Sequence, residues 1–427
     1  MNRNDCLALD AADPLAALRA EFLLPEGTLY LDGNSLGACP KATPSRLAQV
    51  VQHEWAQDLI QSWNTAGWID LARRVGDKIA RLVGADAGEL VVADSTSVNL
   101  YKVLKAAVQL RPVSAARHIV SERSNFPTDL YIAESVAREH GLSLRLVDAD
   151  EVPSALDDQA AILMLTHVNY RTGRVHDMAR LSAAAHAAGA LTVWDLAHSA
   201  GALPVDLKTA GADFAVGCGY KYLNGGPGAP AFVWAHPKHT ARMDQEQLRQ
   251  PLSGWLGHAA PFAFDTAYRP APGIQRFVCG TPAVLSLAAL DCGLDVFGAA
   301  EAYGGLPALR RKSLGLSALF IDRVEASCPA LTLVTPRDPA ERGSQVSFAH
   351  AHGYAMMQAL IARGVVGDFR AGAPGAATPE TADLLRFGLT PLYTRYVDVW
   401  DAAAHLAAVL DRGEWRDPRH ARRATVT

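Results

Sequence analysis

Through the first two-thirds of the chain, short apolar runs alternate with longer stretches whose apolar residues recur every three to four positions. Leu90 to Ala93 predicts a strand and Val98 to Leu110 a helix. The same alternation gives a strand at His118 to Val120, a helix at Asp129 to His140 and a strand at Leu144 to Val147. Ala161 to Leu165 and Leu191 to Trp194 predict strands on either side of a helix at Met178 to Ala188. Phe214 to Val216 and Ala231 to Trp234 predict two more strands. Strands alternating with helices imply an α/β fold on a mostly parallel sheet, whose ligands collect at the carboxyl ends of the strands. After Thr281-Pro282 the pattern changes to two long helices, Ala283 to Phe297 and Leu306 to Ala326. Strands at Leu331 to Val334 and Gln345 to Phe348 then suggest a smaller α+β domain, with the boundary in a bridging helix near residues 285–305. The Gly/Ala/Pro-rich stretch Ala371 to Thr378 predicts a mobile loop.

Composition narrows the class. The 427 residues are too many for one compact core, and 49% hydrophobic with 20% charged residues is ordinary for a globular enzyme. A net charge of −4 offers nothing to nucleic acid or an anionic membrane. The basic cluster Arg416 to Arg423 is short, mixed with Asp417, and reads as a solvated terminus. Six scattered cysteines, none in a CxxC pair, suggest a reducing, cytoplasmic compartment. Met1 to Pro14 is polar, so no signal peptide is expected, and no apolar run reaches the ~18 residues of a membrane helix. His350 and His352 are the closest histidine pair, and without an HExxH they predict no metal site.

Three places carry chemistry. Lys221 stands just beyond the strand at Phe214 to Val216 and runs into the glycine-rich turn Asn224 to Gly228. A lysine entering the ligand crevice is a Schiff-base former, because burial lowers an amine's pKa; a snorkelling surface lysine is the competing reading. Asp195 ends the strand Leu191 to Trp194 and supplies the anion that a protonated pyridine needs. A helix N-cap or turn residue is the lesser, competing reading. His198, three residues on, is placed to stack on a ring or to be an ordinary structural histidine. Asp94-Ser95-Thr96-Ser97 lies between a strand and a helix, where free amides and hydroxyls suit a phosphate, or form a plain cap. Phe126, in Phe126-Pro127-Thr128-Asp129, is an aromatic at another turn into a helix.

In this order (phosphate hydroxyls, aromatic, aspartate, lysine) the pieces resemble the class V branch of the aspartate-aminotransferase-like pyridoxal 5'-phosphate (PLP) enzymes. Three further segments are similar to the kynureninase family: Gly33-Asn34-Ser35-Leu36-Gly37, Gly254-Trp255-Leu256-Gly257-His258 and Tyr220-Lys221-Tyr222-Leu223-Asn224. The resemblance covers nearly the whole chain. It implies a PLP-dependent transferase-like α/β fold with a large, mostly parallel seven-stranded sheet and a smaller α+β C-terminal domain. The organisation expected is an N-terminal segment over residues 1–45 packing with the small domain, a large PLP-binding domain over 46–295 and a small domain over 296–427.

By the same resemblance, Lys221 carries PLP and Asp195 pairs with its ring nitrogen. Thr96 and Ser97 hold the phosphate, Phe126 stacks on the ring with Asp129 in support, and Thr166, His198 and Tyr220 contact the cofactor. Trp255 and Thr281 reach the phosphate of the other subunit, which implies a homodimer. Arg386 binds the substrate α-carboxylate, and Asn34, Ser35 and Trp63 fall on the substrate side. The implied reaction is hydrolysis of L-kynurenine to anthranilate and L-alanine in tryptophan catabolism, with Lys221 as general base at Cα and Tyr220 near the γ-carbonyl. Members that favour the 3-hydroxylated substrate tend to carry histidine near the position of Trp63 and asparagine at that of Thr281, so this chain implies a preference for unsubstituted kynurenine. A cysteine desulfurase shares the fold, the aspartate and the lysine. It needs a reactive cysteine on a mobile loop, and Ala371 to Thr378 has none. An aminotransferase, or a non-catalytic binding protein on the same scaffold, is also compatible with these residues.

Overall fold

The computed structural model describes residues 1–111, 117–372 and 378–424, so most of the stretch Ala371 to Thr378 lies outside the described residues. A seven-stranded sheet is built from β1 Leu90–Val92, β2 His118–Glu122, β3 Ser143–Val147, β4 Ala160–Thr166, β5 Leu191–Asp195, β6 Phe214–Gly217 and β7 Phe232–Ala235. Their spatial order is β1-β7-β6-β5-β4-β2-β3. Every pair among β2 to β6 is parallel, and β7 runs antiparallel to both of its neighbours. Strands β4, β6 and β7 are buried at every position, as expected for strands covered on both faces. The edge strand β3 instead exposes Ser143 and Arg145, which blunts the open edge.

Helices α1 Trp68–Leu82, α2 Thr96–Leu110, α3 Pro127–Glu139 and α4 Met178–Ala187 flank the sheet. In α1 the buried Leu71, Ala72, Val75, Ile79 and Leu82 follow helical spacing and form one apolar stripe. Two helices begin two residues before the positions their apolar periodicity suggests. In α2, Ser95 is the N-cap, its Oγ accepting the Val98 N–H at 3.3 Å, so Thr96 and Ser97 join the first turn. In α3, Pro127 takes the first helical position, where a missing N–H costs nothing.

A second, antiparallel sheet is ordered β8-β9-β11-β10, with β8 Thr332–Leu333, β9 Gln345–Ala349, β10 Asp368–Arg370 and β11 Leu384–Gly388. Helices α5 Val284–Ala300, α6 Gly305–Ser327, α7 Gly353–Ala362 and α8 Tyr396–Asp411 complete the chain's main elements. The described residues form two apolar cores. The first runs from Leu15 through α5 to Leu309 and takes in Leu392 and Tyr393, and the second gathers Leu316, Phe320, Phe348, Leu385, Phe387 and Leu406. Helix α6 therefore contributes to both.

The N-terminal segment is shared between them: Leu15, Leu18 and Phe22 enter the first core, Cys6 and Leu31 the second. Leu29–Tyr30 pairs in parallel with Val365–Val366, and Asp32 bridges to Gly388. Gly388 has to be a glycine, because a Cβ there would collide with the Asn34 side chain. A Cβ at Gly37 would likewise strike the carbonyl oxygen of Lys221. The Gly33–Gly37 segment is thus packed between the small sheet and the lysine loop.

Candidate active site

The carboxyl ends of β1, β2, β4, β5 and β6 open onto a cavity of about 710 Å³, in the size range of small-molecule sites. Lys221 enters it four residues after β6. Its loop is pinned by the Gly37 N–H donating to the Tyr220 carbonyl at 2.8 Å and the Asn224 N–H donating to the Lys221 carbonyl at 3.0 Å. Lys221 Nζ lies 2.9 Å from His198 Nε2, and 5.9 and 5.8 Å from the ring centres of Phe126 and Tyr220. Burial, with the charge of Lys221 beside it, pushes the His198 imidazole well below its usual range. A neutral ring then leaves Nε2 to accept from the lysine.

Asp195, at the end of β5, and Asp129, in the first turn of α3, are both buried and hydrogen-bonded to each other. Burial pushes Asp129 up strongly, and the charge of Asp195 adds to it. Burial also raises Asp195, against the pull of Lys221 and of the Ala197 N–H donating to Oδ1 at 2.8 Å. Two adjacent carboxyls in such a place share a proton. The Thr166 hydroxyl, at the end of β4, lies 3.4 Å from Asp129 Oδ2 and also bonds Asn125.

Thr96 and Ser97 form the opposite wall. The first turn of a helix has no internal acceptor for its amides, so those of Thr96 and Ser97 face the cavity as anion donors. Behind them, the fully buried Lys102 ammonium bonds Asp94, Asn99 Oδ1 at 3.2 Å and the Phe277 carbonyl at 2.6 Å. Asp94 has a left-handed φ of 49°, an uncommon geometry for a non-glycine residue. Lys102 thereby ties this turn to the segment that carries Cys279 and Thr281 into the cavity.

Of the residues singled out in the sequence, Thr96, Ser97, Phe126, Asp129 and Thr166 line the cavity, together with Asp195, His198, Tyr220, Lys221 and Thr281. Trp255, Trp63, Asn34, Ser35 and Arg386 do not. Trp255 is 38% exposed and packs its ring edge-on to Trp63 and Phe262. Arg386 is fully buried beyond the cavity, with Ser35 against it at 2.9 Å. Among the lining residues that sequence reasoning missed are Tyr170, whose ring stands edge-on to Phe126, and Cys279. Neither sits in a motif; Tyr170 follows β4 by four residues, as Lys221 follows β6, and that spacing is the one signal available.

The backbone defines the class. It matches the cysteine desulfurase of Thermococcus onnurineus NA1 with a TM-score of 0.76, over 93% of this chain and 98% of that one, at 20% identity. It matches a C-DES mutant with glycine covalently linked to its PLP cofactor equally well, with a TM-score of 0.76 over 91% and 98% at 17% identity. At such identities the likeness establishes the fold, that of the class V PLP enzymes.

The sequence goes further. The chain is 54% identical to the kynureninase of Pseudomonas fluorescens over 432 residues, covering 100% of this chain and 99% of that protein. The match to the kynureninase of Burkholderia pseudomallei (strain 1106a) has the same identity and extent. Residues 309–406 match the family profile described as kynureninase C-terminal domain. The chain belongs to the kynureninase family.

The residues present fit PLP: an amine for its aldehyde, a buried carboxylate for its pyridine nitrogen, helix-start amides for its phosphate, and Phe126 and His198 beside the amine.

Proposed function

We propose that the protein hydrolyses L-kynurenine, and 3-hydroxy-L-kynurenine less well, to anthranilate and L-alanine by cleaving Cβ–Cγ, a step of tryptophan catabolism. One observation carries this reading: in a kynureninase-family chain, Lys221, the Asp195–Asp129 pair and the Thr96–Ser97 helix start converge on a single cavity. When bound, PLP supplies an electron sink for the charge left at the substrate Cα.

The chain's own residues do the rest. Asp195 would hold the pyridine nitrogen, and the proton shared with Asp129 would keep that site from carrying two negative charges. Phe126 and His198 would pack beside the ring, and Thr96, Ser97 and Thr166 would fix its position. Lys221, the amine that would hold the cofactor, would take the proton from the substrate Cα. Burial keeps the Tyr220 phenol protonated, so its hydroxyl can donate to the carbonyl oxygen at Cγ. Arg386 would bind the substrate α-carboxylate, and Asn34, Ser35 and Trp63 complete the substrate-binding set of this reading.

A homodimer in which Trp255 and Thr281 complete the neighbouring site is part of this reading. It is supported by the exposed aromatic group Trp255, Phe262 and Phe264, the last 79% exposed. The division into residues 1–45, 46–295 and 296–427 is supported by the two separate cores. A cytoplasmic location is supported by six cysteines without a disulfide.

Cys279 gives the desulfurase reading one observation in its favour, a thiol in the cavity wall. It is weak, because burial raises that thiol's pKa and disfavours the thiolate that sulfur transfer requires.

The test is to supply PLP and L-kynurenine and follow anthranilate fluorescence, with Lys221→Ala in parallel and 3-hydroxy-L-kynurenine as second substrate. The expected outcome is anthranilate from the wild type, loss on the order of 10³-fold in the variant, and a higher kcat/KM for the unsubstituted substrate. Sulfide from cysteine in place of anthranilate moves the function to desulfuration, and equal kcat/KM values remove the substrate preference.

A further inference from the structure

Helix α2 carries a lysine on its buried face. Asn99, Lys102, Val103 and Ala106 are all buried, and the Lys102 side chain has no exposed surface at all. Helical side chains lean toward the N-terminus, so its ammonium reaches back beneath the first turn. There its three hydrogens are fully used, by Asp94, Asn99 Oδ1 and the Phe277 carbonyl. A buried ammonium is costly unless it is paired and hydrogen-bonded, and the pair here is Asp94.

Asp94 stands in the cavity wall, next to the Ser95 cap and the Thr96 and Ser97 amides, and 31% of its side chain is exposed. A bare carboxylate at that point would oppose a phosphate dianion in the same wall that the helix start makes favourable to anions. Lys102 cancels it from behind and, being inside the protein, does so with little screening. Backbone geometry accounts for the acid. The φ of 49° at Asp94 swings the chain from β1 into α2, and aspartate adopts that conformation more readily than most residues. The turn is fixed on two further sides. The Ala231 N–H donates to the Asp94 carbonyl at 2.9 Å, and Asn99 Nδ2 donates to the Ala93 carbonyl at 2.7 Å.

We propose that Lys102 is a positioning residue for the cofactor phosphate. It cancels the Asp94 carboxylate at the phosphate end of the cavity and leaves that carboxylate free to hold the left-handed turn. Lys102 does not itself line the cavity and acts through Asp94. This rests on the placement of the phosphate at Thr96 and Ser97 given above.

The experiment isolates the phosphate. Cofactor-free protein is titrated with PLP and, separately, with pyridoxal, which has the same ring and aldehyde but no phosphate, and binding is followed by quenching of protein fluorescence. The ratio of the two Kd values gives the preference for PLP. Lys102→Met should lower that preference about tenfold and leave pyridoxal binding unchanged. Asp94→Asn, which keeps a residue suited to the left-handed turn, should raise it, because the ammonium is then unopposed. The double variant should recover most of what Lys102→Met loses. An equal loss for PLP and pyridoxal, no rescue in the double variant, or a preference not raised by Asp94→Asn overturns the proposal and leaves Lys102 a plain structural tie. If Lys102→Met fails to fold, Asp94→Asn decides alone by the same criterion. Thr96→Pro keeps the helix start, where proline is tolerated, and removes one amide donor. It should lose preference for PLP whatever Lys102 does. A full preference kept in Thr96→Pro shows that the phosphate is not at this helix start, and overturns the placement and the proposal together.

Discussion

Two buried aspartates sit on opposite edges of the same sheet. Asp213, immediately before β6 at the amino edge, is fully enclosed. Its Oδ1 takes His239 Nε2 at 2.7 Å and Lys238 Nζ at 2.9 Å. Its Oδ2 takes His186 Nε2 at 2.7 Å, the Thr192 N–H at 2.9 Å and the Thr192 hydroxyl at 3.2 Å. Those hydrogen bonds outweigh burial and hold its carboxyl far below the usual range. Asp195, at the end of β5, has one backbone donor and a second acid for company, and burial pushes it up. The two have nearly the same burial, yet one is saturated by protein and the other awaits a donor. A carboxylate left short of partners at the ligand edge stores affinity for a cation or an N–H; the saturated one holds strands together.

The sharpest break of this comparison is to neutralise each residue in turn. Asp213→Asn places an amide among five donors and should cost about 3 kcal/mol of stability, with activity per folded molecule unchanged. Asp195→Asn should do the reverse: the cofactor-free protein melts no lower than wild type, while kcat falls on the order of 10²-fold. Melting curves and anthranilate rates on both variants decide it. If Asp195→Asn loses as much stability as Asp213→Asn, the ligand edge is no different from the structural one.

Much of this is legible in the sequence alone. The strands from β1 to β7 fall within one or two residues of their apolar runs, because buried parallel strands announce themselves as continuous Val/Ile/Leu/Ala stretches. Lys221, Asp195 and Thr96 stand out because the ends of such strands are where ligands go. The pairing of Asp129 with Asp195 is not legible, since it joins the first turn of α3 to the end of β5, and no local pattern encodes that. The group in which Asp368 pairs with both Arg370 and Arg386, beside Asp32, is hidden for a related reason. Strand β10 is three residues long, too short to show a period, and its two charged partners, Asp32 and Arg386, come from separate parts of the chain. Nor does any pattern show that Asp368 occupies the fork of Arg386; that takes the register of β10 against β11.

A smaller effect sharpens the comparison through pH. Asp213 has a depressed pKa in the folded state, so its contribution is complete above the unfolded value of about 4 and is lost only as pH falls below it. Asp195 with Asp129 is raised, so the folded state holds a proton that the unfolded state has released above about pH 4, and the pair costs more stability as pH climbs. In cofactor-free protein between about pH 4 and 8, the melting gap between wild type and Asp213→Asn should stay flat. The gap for Asp195→Asn should move steadily in favour of the variant. Parallel slopes for the two would mean that both carboxyls are ionised alike and that the contrast in partners has no energetic consequence.

The smallest effect tests whether saturation at Asp213 is redundant. Lys238 is its most exposed donor, with 49% of its side chain accessible, so its attraction is screened by water and salt. Removing it leaves both histidines and both Thr192 donors in place. Lys238→Gln should therefore cost about 0.5 kcal/mol, and the difference from wild type should shrink as salt is raised toward ~1 M. A loss as large as that of Asp213→Asn, unchanged by salt, would show that the ammonium alone balances the buried charge. Asp213 would then be one half of an ion pair, and the cause of its low pKa would shift from four surrounding hydrogen bonds to a single lysine.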